Sequence, residues 1–171
     1  MPQGTDLAPL AAIAPQLVLV FGAVERMTEH GLVESLKSAF PEAELAGCTT
    51  AGEIGAGGVS DGALVVVALR FSGSRVQLAA TDLADMEDSR AAGQRLGLAL
   101  AAPGLRHVLV LGQGVQINGS ALIEGISESL GTGVLLSGGL AGDGGAFERT
   151  WTLSNRGLSQ RQIVAIGFSG E

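Results

Sequence analysis

The chain has 171 residues, 46% of them apolar and 16% charged, which is ample for a core and too little charge for a disordered chain. Its net charge is −7 and its ten lysines and arginines are scattered singly, which argues against nucleic acid and against an anionic membrane surface as partners. A single cysteine, Cys48, allows no internal disulfide and no cysteine-based zinc site, and suits a reducing, cytoplasmic compartment.

The first apolar stretch, residues 7–24, has no basic segment before it and is interrupted by Pro9 and Pro15, so neither a cleavable signal nor a membrane span is expected. Residues 17–21 read as a buried strand ending at Gly22. A helix is expected over 29–40, with Leu32, Val33, Leu36 and Phe40 on one face, Thr28 as its cap and Pro41 beyond its end. A strand at 44–47 follows, and the strand–helix–strand order implies a parallel pair with a right-handed crossover. Beyond a Gly-rich loop, 63–71 and 75–81 read as a hairpin turning at Ser72-Gly-Ser74. A linking helix at about 88–101, with Leu96 and Leu100 on its apolar face, ends at Pro103-Gly104. The second half then offers a strand at 107–111, a helix at 119–130 between Asn118 and Gly131, and a strand at 134–137. It closes with a hairpin of 147–153 and 162–168 turning at Asn155-Arg-Gly157.

The two halves look alike. Val18-Leu-Val-Phe-Gly22 and Val108-Leu-Val-Leu-Gly112 lie 90 residues apart, and at the same offset Cys48-Thr-Thr-Ala-Gly-Glu53 falls on Gly138-Gly-Leu-Ala-Gly-Asp143. The expected fold is therefore a single α/β domain over 1–171. It comprises two tandem β-α-β-loop-β repeats, about 16–81 and 106–170, forming a mixed sheet flanked by helices. Residues 17–53 should superpose on 107–143, and the loops after Cys48 and Gly138 should share one rim.

Loops at the carboxyl ends of parallel strands are where open α/β sheets bind ligands. The candidate ligand-binding residues are accordingly Cys48, Thr49, Thr50, Gly52 and Glu53 in the first loop, Gly138, Gly139, Gly142 and Asp143 in the second, and Arg149 beyond it. Glycines expose the main chain, the hydroxyls donate and accept, the two carboxylates suit an ammonium group, and Arg149 suits an anion. Thr49, Thr50, Glu53 and Asp143 are expected to line an open concavity rather than to be consumed in capping; the bland alternative is that the acids satisfy donors of their own loops. As a nucleophile Cys48 lacks an evident histidine, and an inert buried thiol is its expected state. His30 and His107 read as ordinary polar residues rather than haem or metal ligands. Gly112-Gln-Gly-Val-Gln-Ile fails as a dinucleotide fingerprint, and no P-loop, zincin motif or nucleophile elbow occurs.

Taken in order, the opening strand ending in Phe21-Gly22, Gly47-Cys-Thr-Thr-Ala-Gly-Glu53, Asp61-Gly-Ala-Leu-Val-Val-Val67, Gly138-Gly-Leu-Ala-Gly-Asp143, Phe147-Glu-Arg-Thr-Trp151 and Ile163-Val-Ala-Ile-Gly-Phe168 resemble the N-terminal part of the FIST sensor family. The resemblance covers residues 16–170. It implies a ligand-sensing domain of bacterial signal transduction, found alone or joined to histidine kinases, chemoreceptors and cyclic-di-GMP enzymes. It also implies small ligands such as amino acids, and for some members haem that senses nitric oxide. The family's usual C-terminal half is missing, so a FIST C-terminal domain on another chain, or a histidine kinase, is an expected partner. The reading is a non-enzymatic binding domain for a small polar metabolite, with no resident cofactor. A haem-based nitric-oxide sensor, a Cys48-dependent enzyme and a pure assembly module are its rivals.

Overall fold

The computed structural model describes residues 6–55 and 57–170. A short helix α1 (Ala8–Ala11) precedes strand β1 (Leu17–Gly22), which leads through α2 (Val24–Met27) and α3 (Leu32–Ala39) to β2 (Glu44–Thr49). Two three-residue strands, β3 (Glu53–Gly55) and β4 (Gly58–Ser60), form a small antiparallel hairpin. Then come β5 (Leu64–Leu69), β6 (Ser74–Asp82), α4 (Ser89–Leu100), β7 (Leu105–Gly112), α5 (Gly119–Leu130) and β8 (Leu135–Leu140). The chain ends with β9 (Thr152–Ser154), β10 (Gly157–Ser159) and β11 (Gln162–Gly170).

The class is mixed α/β with mixed parallel and antiparallel pairing, as expected, but the strands are divided between two principal sheets. One has the order β10-β9-β2-β1-β5 and the other β6-β11-β7-β8. The reason is visible along β1. Val18 and Val20 join Met27, Leu32, Leu36 and Leu45 in one core, while Leu17, Leu19 and Phe21 join Leu111, Val164 and Ile166 in another. A strand apolar on both faces needs cover on both. In β7, likewise, Val108 and Val110 pack toward Leu96, Leu122 and Ile126, while Leu109 and Leu111 join the residues between the sheets. The resulting layers are helix, sheet, sheet, helix.

Neither long hairpin forms. β5 pairs with β1 in the first sheet, whereas β6 pairs with β11 in the second. The turn at Asn155–Arg156 exists, but it joins β9 to the short β10, and β11 belongs to the other sheet. Residues 147–150 are irregular, and Phe147 takes φ 57°. Each half thus lends strands to the sheet of the other: β6 crosses one way, and β9 with β10 the other. The first helix also starts later than expected, because Thr28 ends α2, its Oγ1 donating to the Val24 carbonyl at 2.8 Å. In the second half Asn118 Oδ1 accepts from the Ala121 N–H at 3.1 Å and caps α5 as anticipated.

The 90-residue offset fits the first strands and slips by one on the second. Val20 stands opposite Gly47, and Val110 opposite Gly138. The like positions are therefore Gly47 and Gly138, not Cys48 and Gly138. Sterics explain both glycines: a Cβ on either would lie 1.9 Å from the carbonyl oxygen of the facing valine.

Candidate functional site

The two Gly-rich loops meet at one rim. The Thr50 N–H donates to the Gly22 carbonyl at 3.0 Å and the Ala141 N–H to the Gly112 carbonyl at 2.8 Å, so each loop is tied to the end of its neighbouring strand. The Gly142 N–H then donates to the Thr49 carbonyl at 2.8 Å, joining loop to loop. A Cβ on Gly142 would sit 3.0 Å from the Ala51 nitrogen, which leaves little room for any larger residue at this crossing.

Beside the junction lies an open concavity of about 300 Å³, with Thr50, Gly52, Glu53 and Asp143 in its wall. The structure brings these four predicted residues together, but it gives the acids backbone work. Glu53 is 3% exposed; its Oε1 accepts from Thr50 Oγ1 at 2.5 Å and its Oε2 from the Ala63 N–H at 2.8 Å. Asp143 accepts from the N–H groups of Phe147, Glu148 and Arg149 at 2.7–3.0 Å. Those donors, the Glu148 N–H foremost, hold its carboxyl below the usual carboxylate range. Both acids are consumed as acceptors for main-chain donors, Asp143 in its own loop and Glu53 at the entry to β5, contrary to expectation, because Gly-rich turns leave N–H groups that a nearby carboxylate can satisfy.

Four other candidates fall elsewhere. Thr49 is fully buried, its Oγ1 accepting from the Trp151 N–H at 3.1 Å and helping to fix β9 against β2. Cys48 is buried between the two sheets, where desolvation pushes its thiol up to about 12. A thiol so disposed is neither a nucleophile nor a pocket wall. It should label with a disulfide reagent at pH 8 at least about a hundredfold more slowly in native protein than in urea; equal rates would contradict its burial. Gly138 and Gly139 line a separate apolar groove of about 370 Å³ against α5 and not the concavity beside the loop junction. Of the histidines, His30 is exposed, and His107 Nε2 meets Ser137 Oγ at 2.7 Å while its ring stacks on Phe168. Neither lines the concavity.

Two acids outside the two Gly-rich loops stand open there. Glu25, at the start of α2, and Asp61, just after β4, both line the concavity, and among the described residues neither carboxylate has a hydrogen-bonding or ionic partner. Among the described residues no Lys, Arg or His lines it, although the exposed Arg26 stands near, its Nε donating to the Gly62 carbonyl at 3.0 Å. A neighbouring hollow of about 160 Å³ shares Val24, Glu25 and Asp143 with it and adds Ala146, Glu148 and Arg149. The exposed Arg149 guanidinium has no partner among the described residues. Asp61-Gly62 was the available signal, since that pair opens the run into β5. Nothing in the sequence marked Glu25, which becomes a wall residue only because α2 forms.

Among the described residues no group of three or more His, Cys, Asp or Glu could hold a metal ion, and no helix is long and apolar enough to cross a membrane. No curated protein matches the chain. The FIST N domain family model, however, matches residues 16–171, nearly the whole of it. The chain belongs to the FIST N domain family, a family of sensory domains of signal transduction.

Proposed function

We propose that this domain binds a small amino compound, an amino acid being the best fit, at the concavity beside the loop junction, and that it works by binding rather than catalysis. The observation that carries this reading is the pair of open carboxylates, Glu25 and Asp61, which among the described residues have no partner and share a wall without a cationic side chain. An ammonium group placed between them gains charge-assisted hydrogen bonds, each worth about 1.5–3 kcal/mol. Arg149 in the adjoining hollow supplies the complementary group for a carboxylate. Glu53 and Asp143 shape the floor and leave their neighbours free to bind.

The site suits a sensor. Glu53 opens β3 and Asp61 follows β4, so the concavity grips both ends of the small hairpin. Its paired Ile54 and Val59 are 79% and 80% exposed. A ligand that binds better to one hairpin position than another shifts that population, and with it the presentation of the apolar pair. A thermal-shift panel of amino acids, diamines, dicarboxylates and haem should show upward shifts for amino acids or amines and none for dicarboxylates. A response confined to dicarboxylates or to haem would contradict the reading.

A further inference from the structure

The two sheets contain one groove twice, filled in one and open in the other. In the first sheet β9 lies antiparallel on the outer edge of β2, with Leu153 opposite Gly47 and Thr152 opposite Cys48. Leu153 is fully buried in the core with Val20, Leu36 and Leu45, and Leu158, its cross-strand partner on β10, packs on the same cluster. The glycine opposite a valine leaves the space that this leucine fills.

In the second sheet β8 ends the order, and among the described residues no strand follows it. Gly138 faces Val110 as Gly47 faces Val20. On the helix side of this position lies the groove of about 370 Å³, walled by Val110, Gly119, Leu122, Ile123 and Leu140. Leu135 is 73% exposed, Leu140 50% and Ile123 39%. Edge strands are ordinarily protected by charge, proline or a bulge. From Leu135 to Leu140 the strand has no charged residue and no proline, and its register with β7 is unbroken. An exposed apolar edge of this kind is a site for strand addition.

We infer that β8 accepts an extended segment of a partner polypeptide, paired antiparallel to it, with a leucine-class side chain opposite Gly138 and a small polar residue opposite Gly139. The occupied copy of the groove supplies the pattern. The partner strand is uncharged at these positions, since nothing in the groove wall would answer a charge. The inference stands apart from the ligand concavity, which involves none of these residues.

The test uses a backbone-cyclised hairpin peptide carrying residues 151–160 of this chain, titrated into the isotope-labelled protein. Amide signals of residues 135–140 and of Ile123 should shift together and saturably. The same peptide with Leu153→Asp and Leu158→Asp should bind at least about tenfold more weakly, as should the protein variant Ile123→Glu. Ile123 is partly exposed, so this variant should keep the parent melting temperature; Leu140→Glu is the second variant should it not. No saturable shift at millimolar peptide, or equal binding of the aspartate peptide, would overturn the inference. So would a concentration-dependent dimer through β8 that excludes the peptide, because the occupant would then be a second copy.

Discussion

Glu53→Ala should melt about 6–12 °C below the parent, the result of losing about 3 kcal/mol in a chain of this size. The carboxylate is almost fully buried and accepts from Thr50 Oγ1 and from the Ala63 N–H. Removing it leaves the Ala63 donor without its partner at the place where the chain enters β5, and a stranded donor costs more than the lost bond. Glu53→Gln should recover part of the loss, because one amide oxygen can still accept. Differential scanning calorimetry of the three proteins checks this. An unchanged melting temperature would return Glu53 to the ligand-binding role first read from the sequence.

Gly125→Ala should destabilise the domain by about 2 kcal/mol or more, although alanine in a helix ordinarily gains about 1 kcal/mol over glycine. The two helices of the second sheet meet backbone to backbone. A Cβ on Gly125 would lie 2.1 Å from the Arg90 carbonyl oxygen, and one on Gly93 would lie 2.2 Å from that of Leu122. A main-chain oxygen cannot swing aside as a side chain can, so α4 and α5 must separate. They would then weaken the cluster of Ala92, Leu96, Leu122 and Ile126 over β7. Urea midpoints of Gly93→Ala and Gly125→Ala measure the effect, and a rise in either midpoint would contradict the packing described.

These two cases show where the sequence was informative and where it was not. The strands at Leu17–Gly22 and Leu105–Gly112 and the helices at Ser89–Leu100 and Gly119–Leu130 were legible because each writes its burial as a local period. The exchange of strands between sheets was not, since an apolar run records that both faces are covered and not which sheet covers them. The small β3–β4 hairpin was hidden for another reason: its flanking glycines read as loop, and Ile54 and Val59 are too few to make a pattern. The shared Ala-Gly-acid triplet correctly brought the two loops to one rim, yet it suggested a common role that the chain does not give them. Glu53 reaches forward ten residues to Ala63, whereas Asp143 folds its own next turn around itself. The slip of one residue between the second strands separates the two uses. Open carboxylates carry no local signature, and so Glu25 and Asp61 emerged only from the placement of α2 and β4.

In the proposed site Glu25 and Asp61 bind the ligand while Glu53 and Asp143 hold the fold. The most direct test of this assignment is a calorimetric titration of the amino acid giving the largest thermal shift into the parent and into the double variant Glu25→Gln, Asp61→Asn. The double variant should keep the parent melting temperature without ligand, because neither side chain has a partner to lose among the described residues. Its affinity should fall at least about a hundredfold, equivalent to about 2.7 kcal/mol. Affinity within a factor of two of the parent would contradict the assignment.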